Sequence, residues 1–170
     1  MLVQHSSETV LWYTPKWLSD IAREVMGGID LDPASDFTGN AKIEASSFYS
    51  DGGLERDWFG RVFLNPPGGR VGNRSAAAAW WDKLVREWLC GNVEQAIFIG
   101  FSLNILQTSQ MVDNSVLQFP MCIPRKRIPY DRSDGASESP PHPSCIVFIP
   151  GQTDRFCEMF RTIGGILNGK

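Results

Sequence analysis

The sequence of 170 residues lacks the features that mark several common classes of protein. It has only two histidines, and its four cysteines form no C-x-x-C pair, so no group of residues has the spacing of a zinc site. No apolar run approaches the roughly 18 residues that a membrane-spanning helix needs, and residues 1–8 do not resemble a signal peptide. No G-x-G-x-x-G pattern follows the candidate strand at 29–32, which leaves a dinucleotide enzyme or a P-loop enzyme without support.

These absences predict a cytoplasmic protein with reduced thiols, no metal site and no membrane partner. Cys145 begins the apolar run 145–149 and is expected in the core. The net charge of −3 argues against a simple electrostatic nucleic-acid binder. The basic cluster Arg125-Lys126-Arg127, followed by Arg132, fits either phosphate contacts or a solvated loop on charge alone.

Apolar runs alternate with amphipathic segments along the chain, which predicts an α/β fold with a mostly parallel or mixed sheet and flanking helices. The whole of 1–170 is expected to form one domain, with 1–11 flexible and 33–59 irregular. The predicted strands are 29–32, 62–64, 96–101, 115–119 and 145–149. The predicted helices are about 15–26, 75–89, 103–112 and 153–163. Residues 124–144 are expected to form a long loop, and a loop of that length is more often functional or mobile than incidental.

The start of the first helix is predicted from Thr14 and Pro15. Thr14 has the residue type of an N-cap, and proline is favoured at the first helical position. The free N–H groups and positive end of such a helix suit a carboxylate. One apolar face is expected to consist of Trp17, Leu18, Ile21 and Val25.

Asn65-Pro66-Pro67-Gly68 follows the apolar run 62–64 and is the strongest functional signal. Two prolines restrict the backbone and remove two N–H donors, so the Asn65 side-chain oxygen and the Pro66 carbonyl remain as fixed acceptors. Ligands bind at the carboxyl ends of strands in open α/β sheets. Two fixed acceptors there suit the –NH2 group of a planar substrate.

Asp30 and Asp32 flank Leu31 at the end of another predicted strand. A carboxylate at that position can accept hydrogen bonds from ribose hydroxyls or an α-ammonium group. An aspartate that forms a turn before Pro33 fits the same pattern, and the two interpretations stay open here.

Together, Trp12-Tyr13-Thr14-Pro15, Ile29-Asp30-Leu31-Asp32-Pro33 and Asn65-Pro66-Pro67 resemble the phage-type DNA N6-adenine methyltransferases, the phage Dam family. The later segments 127–130 and 143–148 also resemble that family, so the similarity covers about 11–150. The resemblance implies a Rossmann-like fold dependent on S-adenosylmethionine. It also implies a phage or prophage enzyme that methylates DNA in the cytoplasm of a bacterial host.

The resemblance also implies roles for individual residues. Asn65, Pro66 and Pro67 would be catalytic, and four residues would contact the cofactor: Thr14, Pro15, Asp32 and Pro33. DNA would be contacted by Gly68, Arg125, Lys126 and Arg127. Many relatives have an aromatic residue where Gly68 stands, and it stacks on the extruded base; here Phe101, Trp80 or Tyr130 is expected to replace it.

The expected reaction is direct methyl transfer from S-adenosylmethionine to the N6 amino group of adenine. The same two acceptors would also suit cytosine N4, an RNA base or a protein glutamine. A non-catalytic relative that binds DNA is a third interpretation, supported by Gly68 and the acidic net charge.

Overall fold

Twelve strands are present in the computed structural model, which describes residues 11–111, 113–150 and 153–169. In chain order they are β1 (Trp12–Tyr13), β2 (Leu31–Asp32), β3 (Ser47–Phe48), β4 (Gly60–Leu64), β5 (Arg70–Val71), β6 (Arg74–Ser75), β7 (Val93–Gly100), β8 (Met121–Pro124), β9 (Tyr130–Arg132), β10 (Ser137–Glu138), β11 (Cys145–Ile149) and β12 (Gly164–Leu167).

The central sheet has seven strands in the order β12-β8-β11-β7-β4-β2-β3. Strands β3, β2, β4 and β7 are parallel to one another. On the other side of β7, strands β11, β8 and β12 each run antiparallel to their neighbour. The sheet is therefore mixed, and the predicted α/β class with a mostly parallel or mixed sheet is confirmed at this level.

Helices cover both faces of the central sheet. They are α1 (Lys16–Met26), α2 (Phe37–Ile43), α3 (Ala76–Leu89), α4 (Ile105–Thr108) and α5 (Asp154–Phe160). Trp81, Leu84 and Val85 of α3 are buried in one core cluster with the inward side chains of β4 and β7. Leu18 of α1 and Phe156 of α5 belong to the second cluster, on the opposite face. Both faces of a parallel sheet must be covered because both are apolar.

Several predicted elements are wrong, for local reasons. Residues 115–119 are not a strand: the Ser115 side chain accepts a hydrogen bond from Leu117 N–H and starts a 3-10 turn at Val116–Gln118, so β8 begins only at Met121. Three other predicted segments also differ. Residues 33–59 are not irregular throughout, since Asp36 caps α2 by accepting from Gly39 N–H. Helix α5 ends at Phe160, and the edge strand β12 then follows. The segment 103–112 contains only α4 and a further 3-10 turn, Ser109–Met111, among its described residues.

The start of α1 also differs from the prediction. The helix begins at Lys16 and its cap position is Pro15, with no capping hydrogen bond from a side chain. Thr14 is therefore not the helix cap. Trp17 is 40% exposed and does not belong to the buried face, which Ala22 and Met26 complete instead.

A small antiparallel sheet, β1-β9-β10, orders part of the predicted long loop 124–144. Tyr13 of β1 pairs with Asp131 of β9, so the chain just before α1 is held by the chain that follows the basic cluster. The predicted flexible segment 1–11 lies outside the described residues up to 10. No described helix combines the length and the apolar character needed to cross a membrane.

Candidate functional site

The carboxyl ends of β2 and β4 form the most informative crevice of the sheet. From β2 the chain passes to β3 on one side, and from β4 it passes to β7 on the other. Neighbouring parallel strands whose connections leave in opposite directions define a topological switch point, where open α/β sheets bind their ligands. Asp32 is the last residue of β2 and Asn65 directly follows β4, so both side chains leave their strands at this crevice.

Asn65 is anchored by its neighbours and oriented by one side chain. Leu64 and Pro66 on either side of it are buried, while Asn65 is half-buried. Its Nδ2 donates a hydrogen bond to Oγ1 of Thr14, with an N···O distance of 3.1 Å. Its Oδ1 accepts no hydrogen bond from any described residue, and neither does the Pro66 carbonyl. The two acceptors predicted from the sequence thus have no hydrogen-bond partner among the described residues.

Asp32 is a buried carboxylate beside this crevice, only 3% exposed. One of its oxygens accepts a hydrogen bond from Ala34 N–H at 3.0 Å. Burial raises the pKa of Asp32 to about 7, against the opposing effect of hydrogen bonds from Ala34 and Ser35. A cation bound in the crevice would favour the ionised form, so this carboxylate suits a positively charged or hydroxyl-bearing ligand.

Asp30 does not share that role. Its carboxylate accepts hydrogen bonds from the backbone N–H, Nε and Nη2 of Arg61, all at 2.8 Å. Asp30 precedes β2 and faces the start of β4, away from the carboxyl ends. The sequence left the roles of both aspartates open. In the structure Asp30 is a structural residue paired with Arg61, and Asp32 is the residue at the crevice.

Pro33 is buried, and the segment from Gly53 to Trp58 packs against it. A Cβ on Gly53 would lie 2.0 Å from the Pro33 carbonyl oxygen and 2.6 Å from the Trp80 ring, so only glycine permits this approach. Trp58 donates to the Gly53 carbonyl at 2.6 Å and stacks on Trp80 with ring centroids 5.9 Å apart. The segment from Gly53 to Trp58 thereby covers the end of β2. The Asp-Gly-Gly sequence at 51–53 indicates a turn, but it does not indicate that the turn packs against Pro33.

Gly68 lies beside Phe101, which directly follows β7. A Cβ on Gly68 would come within 3.5 Å of Phe101 Cζ, an ordinary van der Waals contact. Phe101 also lines a cavity of about 290 Å³ next to the Asn-Pro-Pro segment; its other walls include Gly69, Arg70, Ser75, Asn104 and His142. Tyr130 and Trp80 are only 2% and 6% exposed, so of the three expected stacking aromatics Phe101 alone is not buried.

The basic cluster lies at the same, carboxyl edge of the sheet, but it makes no hydrogen bond to Asn65. Strand β8 runs parallel to β7, because each is antiparallel to β11 between them. Residues after Pro124 therefore emerge at the carboxyl edge, three strands from β4 or about 14 Å across the sheet. Arg125 donates to the carbonyls of Thr162 and Arg161 at 2.9 and 3.0 Å. Lys126 and Arg127 are exposed.

Comparison of the chain with protein-family models, curated proteins and solved structures finds no match.

The crevice combines three kinds of chemistry. It has a pair of uncharged acceptors at Asn65 and Pro66, a buried carboxylate at Asp32, and the amino end of α1 directly after Pro15. The first N–H groups of a helix have no partner inside the helix and favour an anionic group. The arrangement can therefore hold a zwitterionic ligand next to an amino group.

Proposed function

We propose that this protein transfers a methyl group from S-adenosylmethionine to the N6 amino group of adenine in DNA. The observation that carries the proposal is the orientation of Asn65. Its Nδ2 is bonded to Thr14, and its Oδ1, beside the Pro66 carbonyl at the switch point of the sheet, has no hydrogen-bond partner among the described residues. Two acceptors with no donor beside them suit an aromatic –NH2 group, because that group donates two hydrogen bonds and accepts none.

A Rossmann-like fold is part of the proposal. Four parallel strands with helices on both faces and a ligand crevice at a switch point support it. The antiparallel strands β11, β8 and β12 extend this arrangement on one side. Fold by itself does not specify function, so the argument depends on the residues of the crevice.

The residues around the crevice fit S-adenosylmethionine, which carries an α-ammonium group, a carboxylate and a ribose. The carboxylate of Asp32, buried and bonded on one side by Ala34 N–H, would hold the ammonium group or the ribose hydroxyls. The N–H groups at the start of α1 would hold the carboxylate. When bound, the cofactor supplies an electrophilic methyl group on a sulfonium.

Asn65 and Pro66 would activate the acceptor. The lone pair of an adenine amino group is delocalised into the ring, which makes it a poor nucleophile. Hydrogen bonds from the –NH2 group to Asn65 Oδ1 and the Pro66 carbonyl would localise that lone pair on nitrogen. The same two oxygens would stabilise the positive charge that develops on the nitrogen, and fixed acceptors do so without reorganising. The bond from sulfur to the methyl group breaks as the bond to nitrogen forms, and the nitrogen would then lose one proton to solvent. Positioning of the amino group adds to the effect.

The surroundings of the motif support a nucleic acid as the substrate. A base inside a duplex is out of reach, and extruding it costs a few kcal/mol. The ring of Phe101, a residue that is not buried, offers a stacking surface beside Gly68. Lys126 and Arg127 are exposed at the same edge of the sheet and would contact phosphates of the flanking strand.

The decisive experiment is transfer of label from S-adenosylmethionine to unmethylated DNA, followed by digestion to nucleosides. Label in N6-methyladenine is expected for the wild type and none for Asn65→Ala. Asn92→Ala is the matched control, because Asn92 lies at the opposite, amino end of β7 and its side chain bonds Glu87. Full activity of Asn65→Ala would refute the assignment.

The same experiment separates the rival acceptors. Label in N4-methylcytosine, in RNA or in glutamine would keep the chemistry and change the substrate. Cofactor binding by calorimetry without transfer to any of these would favour a non-catalytic relative that binds DNA.

A further inference from the structure

We infer that Thr14 is a positioning residue, whose hydroxyl accepts from the Asn65 amide and so stabilises the orientation with Oδ1 towards the ligand, rather than contacting the cofactor. The inference rests on the proposed function, because it concerns the residue that would bind the amino group. It changes the role that family resemblance gives to Thr14, which is a place in the cofactor pocket.

The hydroxyl of Thr14 is almost fully enclosed. The residue is 5% exposed, and its Oγ1 accepts from Asn65 Nδ2 at 3.1 Å across 51 positions of sequence. It is the one side chain among the described residues that hydrogen-bonds to the Asn65 side chain. Because α1 takes no cap from a side chain, the Thr14 hydroxyl is not engaged in starting the helix.

Thr14 itself is fixed from both sides. Tyr13 before it pairs with Asp131 in the β1–β9 ladder, and the phenol of Tyr13 donates to Asp36 at 2.9 Å. Pro15 after it has a φ of −65°, the value that its ring imposes. The backbone on both sides of Thr14 therefore restrains the position of its hydroxyl oxygen, to which the Asn65 amide bonds.

The need for such a partner follows from the symmetry of the amide group. The oxygen and the –NH2 group of an asparagine side chain have nearly the same shape, so packing alone does not distinguish the two orientations. A hydroxyl can pair with either end of the amide, so the –NH2 group of the ligand selects the orientation with Oδ1 towards it, and Thr14 then supplies the acceptor that the enclosed Nδ2 needs. In the reversed orientation Nδ2 would meet the substrate –NH2, donor against donor, and no activation would result.

The test compares Thr14→Val with Thr14→Ser. Valine keeps the shape of threonine and removes the hydroxyl, whereas serine keeps the hydroxyl. Ser19→Ala controls for a loss of stability, because Ser19 is a buried hydroxyl of α1 that donates to the carbonyls of Lys16 and Lys42 without contacting Asn65.

For Thr14→Val we expect kcat for methyl transfer to fall by about 10- to 100-fold, since misorientation of a reacting group costs rates of that order. The Kd for S-adenosylmethionine, measured by calorimetry, should stay within about threefold of the wild type, and Thr14→Ser should keep most of kcat. Loss of cofactor affinity in step with loss of kcat would overturn the inference and return Thr14 to the cofactor pocket. Unchanged kcat in Thr14→Val would overturn it as well.

A second measurement needs no activity, so failure of the inference and failure of the proposed function can be told apart. The side-chain –NH2 signals of Asn65 are identified in a ¹H–¹⁵N spectrum as the pair that disappears in Asn65→Ala. They should move in Thr14→Val and stay close to their wild-type position in Thr14→Ser and Ser19→Ala. An unmoved pair in Thr14→Val refutes the role of Thr14 even if the protein methylates DNA. A moved pair supports that role even if adenine proves not to be the acceptor.

Discussion

Arg61 surrounds the carboxylate of Asp30 with three N–H donors, one from its backbone and two from its guanidinium group. A further guanidinium N–H binds the carbonyl of Gly27, which ties the end of α1 to the start of β4. Gly60, with a φ of +63°, leaves room for this arrangement, because a Cβ there would lie 2.6 Å from Asp30 Oδ2.

Replacing Asp30 with asparagine should destabilise the fold by about 2 kcal/mol at pH 7. The bonds from Arg61 lower the pKa of Asp30 from 3.8 to about 2. The folded pKa lies below the unfolded one, so this stability is present above about pH 4 and is lost as the pH falls towards 2. Urea unfolding of wild type and Asp30→Asn should thus differ at pH 7 and converge near pH 2. Asp51→Asn is the control, since its exposed pair with Arg56 should contribute little.

Asp32 should show the opposite pH dependence of stability. Its folded pKa of about 7 lies above the ordinary value of 3.8, so the folded state binds the proton more tightly than the unfolded state. Stability therefore falls between about pH 4 and pH 7, by up to about 4 kcal/mol for three pKa units. Asp32→Asn should remove this loss and raise the Tm at pH 8 while changing it little at pH 4. A lower Tm for Asp32→Asn at both pH values would contradict the argument.

Binding of S-adenosylmethionine should depend on the ionisation of Asp32. A cationic ammonium group requires the carboxylate, so affinity should rise about tenfold from pH 5.5 to pH 7.0, a range in which an α-ammonium stays protonated. Calorimetry of the wild type measures this rise directly. The Asp32→Asn variant should bind more weakly and show no such rise. The same slope in both proteins would exclude Asp32 as the cause.

Phe101 should contribute to substrate affinity through its ring. Phe101→Ala is expected to raise KM for DNA by about 5- to 150-fold, which corresponds to 1–3 kcal/mol for one lost stack. Introducing Gly68→Tyr into that variant should restore part of the affinity, because the new ring would occupy the vacated space. Phe59→Ala, an exposed aromatic at the amino end of β4, should leave KM unchanged. An unaltered KM in Phe101→Ala would remove this residue from the site.

The basic cluster should separate into one structural and two DNA-binding residues. Arg125→Met removes two bonds to the carbonyls after α5 and should lower stability by about 1 kcal/mol. Lys126→Met and Arg127→Met should leave the Tm unchanged and each reduce the salt dependence of DNA binding by about one unit of slope. Fluorescence anisotropy over a salt series provides the measurement. The same salt dependence in the wild type and all three variants would show that DNA does not bind at this cluster.

The sequence predicted those parts of the fold that depend on long apolar runs. The strands at 62–64 and 145–149 are confirmed, and every residue of these two runs is buried. The helix from about 75 is confirmed as well, with one buried apolar face. The failures concern short elements whose formation depends on single polar side chains. Ser115 starts a 3-10 turn and Asp36 starts α2, each by one side-chain hydrogen bond. The hydrophobic period of the sequence does not predict such a bond.

The candidate site was predicted as a set of residues but not as an arrangement. Strand ends at Asp32 and Asn65 could be read from the chain, since each stands directly before a proline at the end of a predicted strand. That the two strands are neighbours, that Thr14 bonds Asn65, and that Phe101 lies beside Gly68 all depend on tertiary contacts between distant positions. Likewise, only the packing around Arg61 distinguishes Asp30 from Asp32.

The pairing of β1 with β9 bears on how the protein is made. Leu11 and Tyr13 are held in place by Ser133 and Asp131, residues from the later half of the chain. During synthesis the Asn-Pro-Pro segment leaves the ribosome long before these partners do. Thr14 is translated before Asn65, but the strand β9 that holds the segment before Thr14 is translated long after both, so a nascent chain has the two bonding residues before it has that support.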